Sequence, residues 1–302
     1  MVAAGVHRLR ASVPVLPPAW EDPAVVARVI AGLAERGTGL AAVDDGDLVG
    51  FQAATMLDGH GGRWSYTPDV GHAMGGPNPG RLRERLYAGL AETWIRGAIP
   101  EHVVTLLADD EVAIATLRTL GFGDHVMDLV RDLSPLATGP LADGVTIRRG
   151  VPADAKGLLA LELGLRRHLA STPIFLRMGA APVIEHARRS LEDEATANIV
   201  AERHGELVGY LRIGPCATDV CSIVRDPSTA SITRAFTRPD LRSGGIASAL
   251  LAAAIAWATD NGYQRCAVDH ECANREAARF WSRHMTPVAV SMVRRLPPGT
   301  VI

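Results

Sequence analysis

Two adjacent glycines, Gly244 and Gly245, open a long apolar run, with Arg242 just ahead of them and Ala247 just behind. The first turn of a helix carries N–H groups without internal partners, together with the positive end of the helix dipole. A helix start cleared of bulky side chains therefore accepts a phosphate. The glycine pair Gly244 and Gly245, the small Ala247 and the charge of Arg242 fit an anion site at this helix start. A plain tight turn needing positive φ accounts for one glycine and leaves the second without a role. The run is neither a Gly-Lys-Ser/Thr phosphate loop nor a G-x-G-x-x-G dinucleotide turn. Further on, Asp269-His270-Glu271-Cys272 ends a strand with groups able to accept a proton. Strand alternation sends His270 and Cys272 to one side and Asp269 and Glu271 to the other, and polar strand ends are the plainer reading of all four.

These groups need alternating strands and helices to hold them. In the second half, residues 144–150 read as a strand, Pro152 to about His168 as a helix, and 197–214 as a hairpin. A strand over 229–238, a helix over 245–261, a strand over 263–271, a helix over 274–284 and a strand over 288–296 follow. The first half echoes the order, with a hairpin over 37–57 around the acidic turn Asp44-Asp45-Gly46-Asp47. Helix 80–99, strand 101–107, helix 110–122 and strand 125–133 complete it. Pro135, Gly139, Pro140 and Gly144 break any period in between. The expectation is a domain over 1–135, a linker over 136–143 and a domain over 144–302. Each domain is α/β (α+β), a mixed, mostly antiparallel sheet flanked by helices. The repeated order reads as a diverged internal duplication, with two unrelated α/β domains as the alternative.

The stretch Pro239-Asp-Leu-Arg242-Ser-Gly-Gly245-Ile-Ala247 resembles the Arg/Gln-x-x-Gly-x-Gly/Ala acyl-CoA loop of the GCN5-related N-acetyltransferase (GNAT) superfamily, and the surrounding element order is similar. The resemblance implies tandem GNAT-like domains, with acetyl-CoA as co-substrate and its pyrophosphate on a cradle formed by Arg242, Ser243, Gly244, Gly245, Ile246, Ala247 and Ser248. It implies pantetheine contacts from the backbone of Ala235, Phe236 and Thr237. It also implies a cofactor contact from Asn274, for which helix N-capping alone is the other explanation. Many members carry a Tyr at Trp281; an indole N–H is no acid near neutral pH, so Trp281 is expected to pack on the acyl-pantetheine arm. As general base the resemblance implies Glu271, then His270. His168 would face the acceptor, unless Arg166-Arg167-His168 is simply a solvated helix end. Aligning 81–90 on 245–254 puts Arg81 and Arg83 where the second copy has Gly245 and Ala247, so the first copy should have lost the cofactor. A different anion turn near Gly75-Gly76-Pro77 or Pro79-Gly80 is the alternative. The expected activity is acetyl-CoA-dependent N-acetylation of a primary amine, of a small molecule ahead of a peptide or protein. A non-catalytic acyl-CoA-binding module is the alternative of another class.

Composition sets the outer limits. A 47% apolar and 21% charged chain with net charge −2 is globular, and its charge gives no sign of a nucleic-acid partner. The apolar run from Ile246 to Ala258 is too short to span a bilayer, and the mixed opening residues do not read as a secretory signal. Cys216, Cys221, Cys266 and Cys272 form no C-x-x-C pair, which suggests reduced thiols, no metal and a cytoplasmic protein. No membrane partner is expected, and the chain is expected to be a monomer or homodimer.

Overall fold

The computed structural model describes residues 1–59, 62–218, 220–297 and 300. The first half runs α1 (Val2–Ser12), α2 (Pro23–Arg36), β1 (Thr38–Asp44), β2 (Asp47–Gly59), β3 (Gly62–Thr67) and β4 (His72–Met74). It continues with α3 (Pro79–Arg96), β5 (Glu101–Leu107), α4 (Glu111–Thr119) and β6 (Gly123–Asp132). The second half runs β7 (Val145–Arg149), α5 (Ala155–Ala170), α6 (Ile184–Glu192), β8 (Ala197–Arg203), β9 (Glu206–Pro215) and β10 (Thr229–Thr237). It closes with α7 (Ile246–Asp260), β11 (Arg265–Glu271), α8 (Arg275–Trp281) and β12 (Thr286–Arg295). The expected strands and helices are present within a few residues of their anticipated ends. The sequence reading placed no element over α1, α2, α6, β3 or β4.

The chain forms two compact units that do not coincide with the expected sequential domains. The first holds Met1–Leu129, Cys221–Val224 and His270–Ile302; the second holds Val130–Val220 and Arg225–Asp269. Two interactions within the first unit explain the difference. Strand β12 pairs antiparallel with β5 from Ala289↔Leu107 to Arg295↔Glu101, so the chain's closing strand completes the first unit's sheet. Buried Asp69 accepts the N–H groups of Ser222 and Ile223 at 2.9 and 2.8 Å, and Asp128 accepts that of Cys221 at 3.0 Å. A buried carboxylate needs such donors, and these fix 221–224 in the first unit.

In the first unit the strand order is β1-β2-β3-β5-β12-β6, with β4 on β2. Its core joins Tyr87, Leu90 and Trp94 of α3 to Leu117 of α4 and to Val290 and Met292 of β12. Asp22 and Asp110 start α2 and α4 by accepting backbone N–H groups at 2.8 and 3.0 Å. Asp45 and Gly46, at φ of 48° and 90°, make the two-residue turn that suits a twisted hairpin.

In the second unit the order is β11-β10-β9-β8-β7, antiparallel except where β10 meets β11. The β8–β9 hairpin turns through His204 and Gly205, again with positive φ at both. Leu158, Leu161 and Leu165 of α5 pack on Val200 and Tyr210, covering one face of this sheet. Adjacent residues of a strand point to opposite faces. A Cβ on Gly209, next to Tyr210, would touch Leu250 of α7, so α7 covers the other face. Among the described residues, no helix is long and apolar enough to cross a membrane.

Candidate functional site

The second unit's sheet opens along β10. That strand pairs with β9 as far as Thr237↔Gly209, but with β11 only from Thr229↔Arg265 to Ile232↔Val268. Both strands continue beyond this point. A bulge between Ile232 and Arg234 coincides with the end of the parallel pairing; an unmatched residue locally increases twist and carries a strand away from its neighbour. Residues 233–237 therefore run beside β9 alone, and this stretch includes Ala235, Phe236 and Thr237.

After a single turn of 3-10 helix over Pro239–Leu241, the chain enters α7. Gly245 is the N-cap residue at φ 78°, and no side chain caps the helix. Ser243 also has positive φ, at 67°. The second glycine has a partner within the chain. A Cβ on Gly245 would stand 3.0 Å from the Pro140 carbonyl oxygen, and one on Gly244 would stand 3.2 Å from Ala142 Cβ. The Ala142 N–H donates to the Gly244 carbonyl at 3.2 Å, so residues 140–142 border the loop. Gly245 thus answers both a backbone and a packing requirement, while Gly244 lets the 140–142 segment approach. Arg242 is half-buried, with Nε 3.4 Å from the Thr237 carbonyl. Ile246 is buried beneath the helix start, and Ala247 and Ser248 are partly exposed in its first turn.

A cavity of about 250 Å³ lies on the opposite, α5 face of the sheet. Glu162 and Arg166 come to it from α5, His186 from α6, Tyr210 and Arg212 from β9, and Arg234 from β10. Arg212 donates to Glu162 at 2.6 Å and to Asn198 Oδ1 at 3.1 Å. Arg166 holds the α5–α6 connection through the carbonyls of Met178, Gly179 and Ala180. Phe236 packs against the adjoining turn of α5, where only a glycine, Gly164, leaves room for its ring.

The remaining expected residues are placed as follows. His168 sits in the last turn of α5, its carbonyl accepting from Ser171, while His186 lines the cavity. His270, Glu271, Asn274 and Trp281 belong to the first unit. The buried His270 ring has Nδ1 3.0 Å from the Glu271 carbonyl, so this nitrogen carries the proton and donates. Glu271 is half-buried at the end of β11. Asn274 caps α8 by accepting the Ala277 N–H at 3.2 Å. Trp281 is buried and meets Phe280 edge to face at 4.8 Å. Burial pushes the Cys266 and Cys272 thiols up to about 12 and about 11, so neither is a thiolate near neutral pH. Among the described residues, no cluster of His, Cys, Asp or Glu could hold a metal ion.

Residues 167–285 match the model of the acetyltransferase (GNAT) family. This stretch, 119 of the chain's 302 residues, is similar to the GNAT family. The matched region begins in the last turn of α5 and ends just before β12. No curated protein sequence matches the chain. Its fold is similar to that of a GCN5-related N-acetyltransferase from Sphaerobacter thermophilus, at TM-score 0.55 and 18% identity over 87% of this chain and 82% of that one. It is also similar to the GCN5-related glucosamine N-acetyltransferase region of a fungal multi-domain GH3 β-N-acetylglucosaminidase. There the TM-score is 0.51 and the identity 14%, over 89% of this chain and 34% of that one. The likeness of fold thus extends well beyond the matched residues 167–285.

The cavity residues Glu162, Tyr210, Arg212 and Arg234 were not singled out from sequence. Their signal is the cross-strand register, which sets Arg212 directly opposite Arg234. Spacing along the chain does not reveal that register.

Proposed function

We propose that the chain is an acetyl-CoA-dependent N-acyltransferase acting on the primary amine of a small molecule, with its chemistry in the C-terminal half of the chain. The observation that carries this reading is the early end of the β10–β11 pairing, followed by a helix start that no side chain caps. Bound acetyl-CoA supplies a thioester carbonyl that an amine attacks, with release of the thiol.

The chain's own residues do the rest. The backbone of Ala235, Phe236 and Thr237 offers hydrogen bonds to the pantetheine arm, and an N–H from Phe236 or Thr237 stabilises charge growing on the thioester oxygen. Arg242 and the amides from Ser243 to Ser248 hold the pyrophosphate at the positive end of α7. Glu271, at the end of β11, takes the amine's proton. The small cavity on the α5 face favours a small acceptor over a protein surface.

The test is thiol release from acetyl-CoA across a panel of amines, with the full-length protein. Release that depends on the amine and saturates supports the reading. CoA binding without turnover on any amine would leave a binding module in its place.

A further inference from the structure

The cavity on the α5 face carries more positive charge than the protein itself neutralises. Three guanidiniums, those of Arg166, Arg212 and Arg234, line it against one carboxylate, Glu162. Glu162 is engaged with Arg212 at 2.6 Å. Arg166 is engaged by main-chain carbonyls, and the recorded bond of Arg234 is to the carbonyl of its neighbour Thr233 at 2.6 Å. Arg212 and Arg234 stand directly opposite on paired antiparallel strands, where like charges destabilise the sheet. One carboxylate compensates one of the two.

A second observation points to the same place. Tyr210, fully buried and lining this cavity, has a hydroxyl with no hydrogen-bond partner among the described residues. Leaving a buried hydroxyl unpaired costs free energy that a ligand atom can recover. Burial pushes its pKa well up, so the hydroxyl stays protonated and can donate. An acceptor-only group meets both demands, since a guanidinium and a neutral phenol are both donors toward it. The cavity lies on the face of the sheet opposite α7, so it is separate from the helix start assigned to pyrophosphate.

We propose that this cavity is the acceptor's anion subsite: the amine substrate also carries an anionic group, a carboxylate or a phosphate, bound by Arg234 and the Tyr210 hydroxyl with Arg212 beside them. The inference rests on the acyltransfer reading for the identity of the ligand as acceptor, and on the cavity alone for its charge.

The experiment is calorimetry on the full-length protein with two matched pairs of probes. 4-Aminobutanoate is compared with 4-aminobutanamide, and O-phosphoethanolamine with ethanolamine. At least one anionic member should bind roughly tenfold or more tightly than its uncharged-headgroup partner, and which pair does so distinguishes carboxylate from phosphate. A hydrogen bond to a charged group is lost in Arg234→Gln, which should reduce that preference by roughly tenfold to a hundredfold. Tyr210→Phe should weaken the anionic probe several-fold without lowering Tm, because the hydroxyl has no partner in the protein to lose. Equal binding within both pairs, no binding of either anionic probe, or a preference unchanged in Arg234→Gln would overturn the proposal. Anionic binding without acetyl transfer would sink the acyltransferase reading and leave the anion subsite standing.

Discussion

Replacing Gly245 separates the role of the helix start in folding from its role in binding, because Gly245→Glu, compared with Gly245→Ala, should move the two in opposite directions. The residue holds φ 78° at the N-cap of α7, where an L side chain costs roughly 1–2 kcal/mol. A Cβ there also meets the Pro140 carbonyl oxygen at 3.0 Å, so 140–142 must give slightly. Gly245→Ala measures this backbone and packing cost by itself. Gly245→Glu bears the same cost, but its carboxylate sits at the positive end of α7, which returns about 0.3–1 kcal/mol. A phosphate bound there meets the opposite sign. Two unit negative charges about 4 Å apart repel by ~1 kcal/mol in water and ~4 kcal/mol at the effective dielectric of a protein surface. CoA affinity should therefore fall by roughly fivefold to several hundredfold relative to Gly245→Ala. Urea unfolding and calorimetry with CoA on the wild type and both variants give the two numbers. The glutamate variant should be at least as stable as the alanine variant and bind CoA more weakly. A folded Gly245→Glu that binds CoA as Gly245→Ala does would refute the cradle.

Three further outcomes follow from the same geometry. Burial first, and Arg83 second, press His72 down to about 3, and burial presses His102 down to about 4; an unfolded histidine titrates near 6.5. The unfolded chain thus takes up protons first, and the first unit should lose up to about 1.4 kcal/mol per pH unit per histidine as pH falls from 6.5 towards 4. Urea unfolding that is equally stable at pH 7 and pH 5 would contradict it. Glu271→Gln should lower kcat by about 10²–10⁴-fold with CoA affinity nearly unchanged; full activity with the same basic-limb pH profile would move the base to His270. One CoA should bind per chain, because Arg83, aligned in sequence with Ala247, is buried in α3 against His72 and Asp110, and a titration saturating at two would exclude this.

The sequence pattern revealed the strands and helices around the second unit's loop, because their periods and punctuating glycines are local. Gly245 was legible for the same reason: a helix start needing positive φ leaves a glycine in the chain. The destination of β12 was not legible. Its residues read as a strand, but nothing in Val288–Leu296 states that its partner is Glu101–Leu107, more than 180 residues away in the chain. The anchoring of 221–224 by Asp69 and Asp128 is hidden for the same reason, since a buried carboxylate looks like an exposed one in sequence. The α5-face cavity was illegible because its charge pattern exists only through the register of β9 on β10. The 140–142 segment, read as a featureless linker, supplies the close approach that makes Gly244 more than a turn residue.

The most direct test of the central claim is a crystal structure of the full-length protein with acetyl-CoA. The account predicts pyrophosphate on the amides at the start of α7 beside Arg242, and the pantetheine arm hydrogen-bonded along Thr233–Thr237 where β10 has parted from β11. Acetyl-CoA bound elsewhere, with that strand edge and helix start empty, would contradict it.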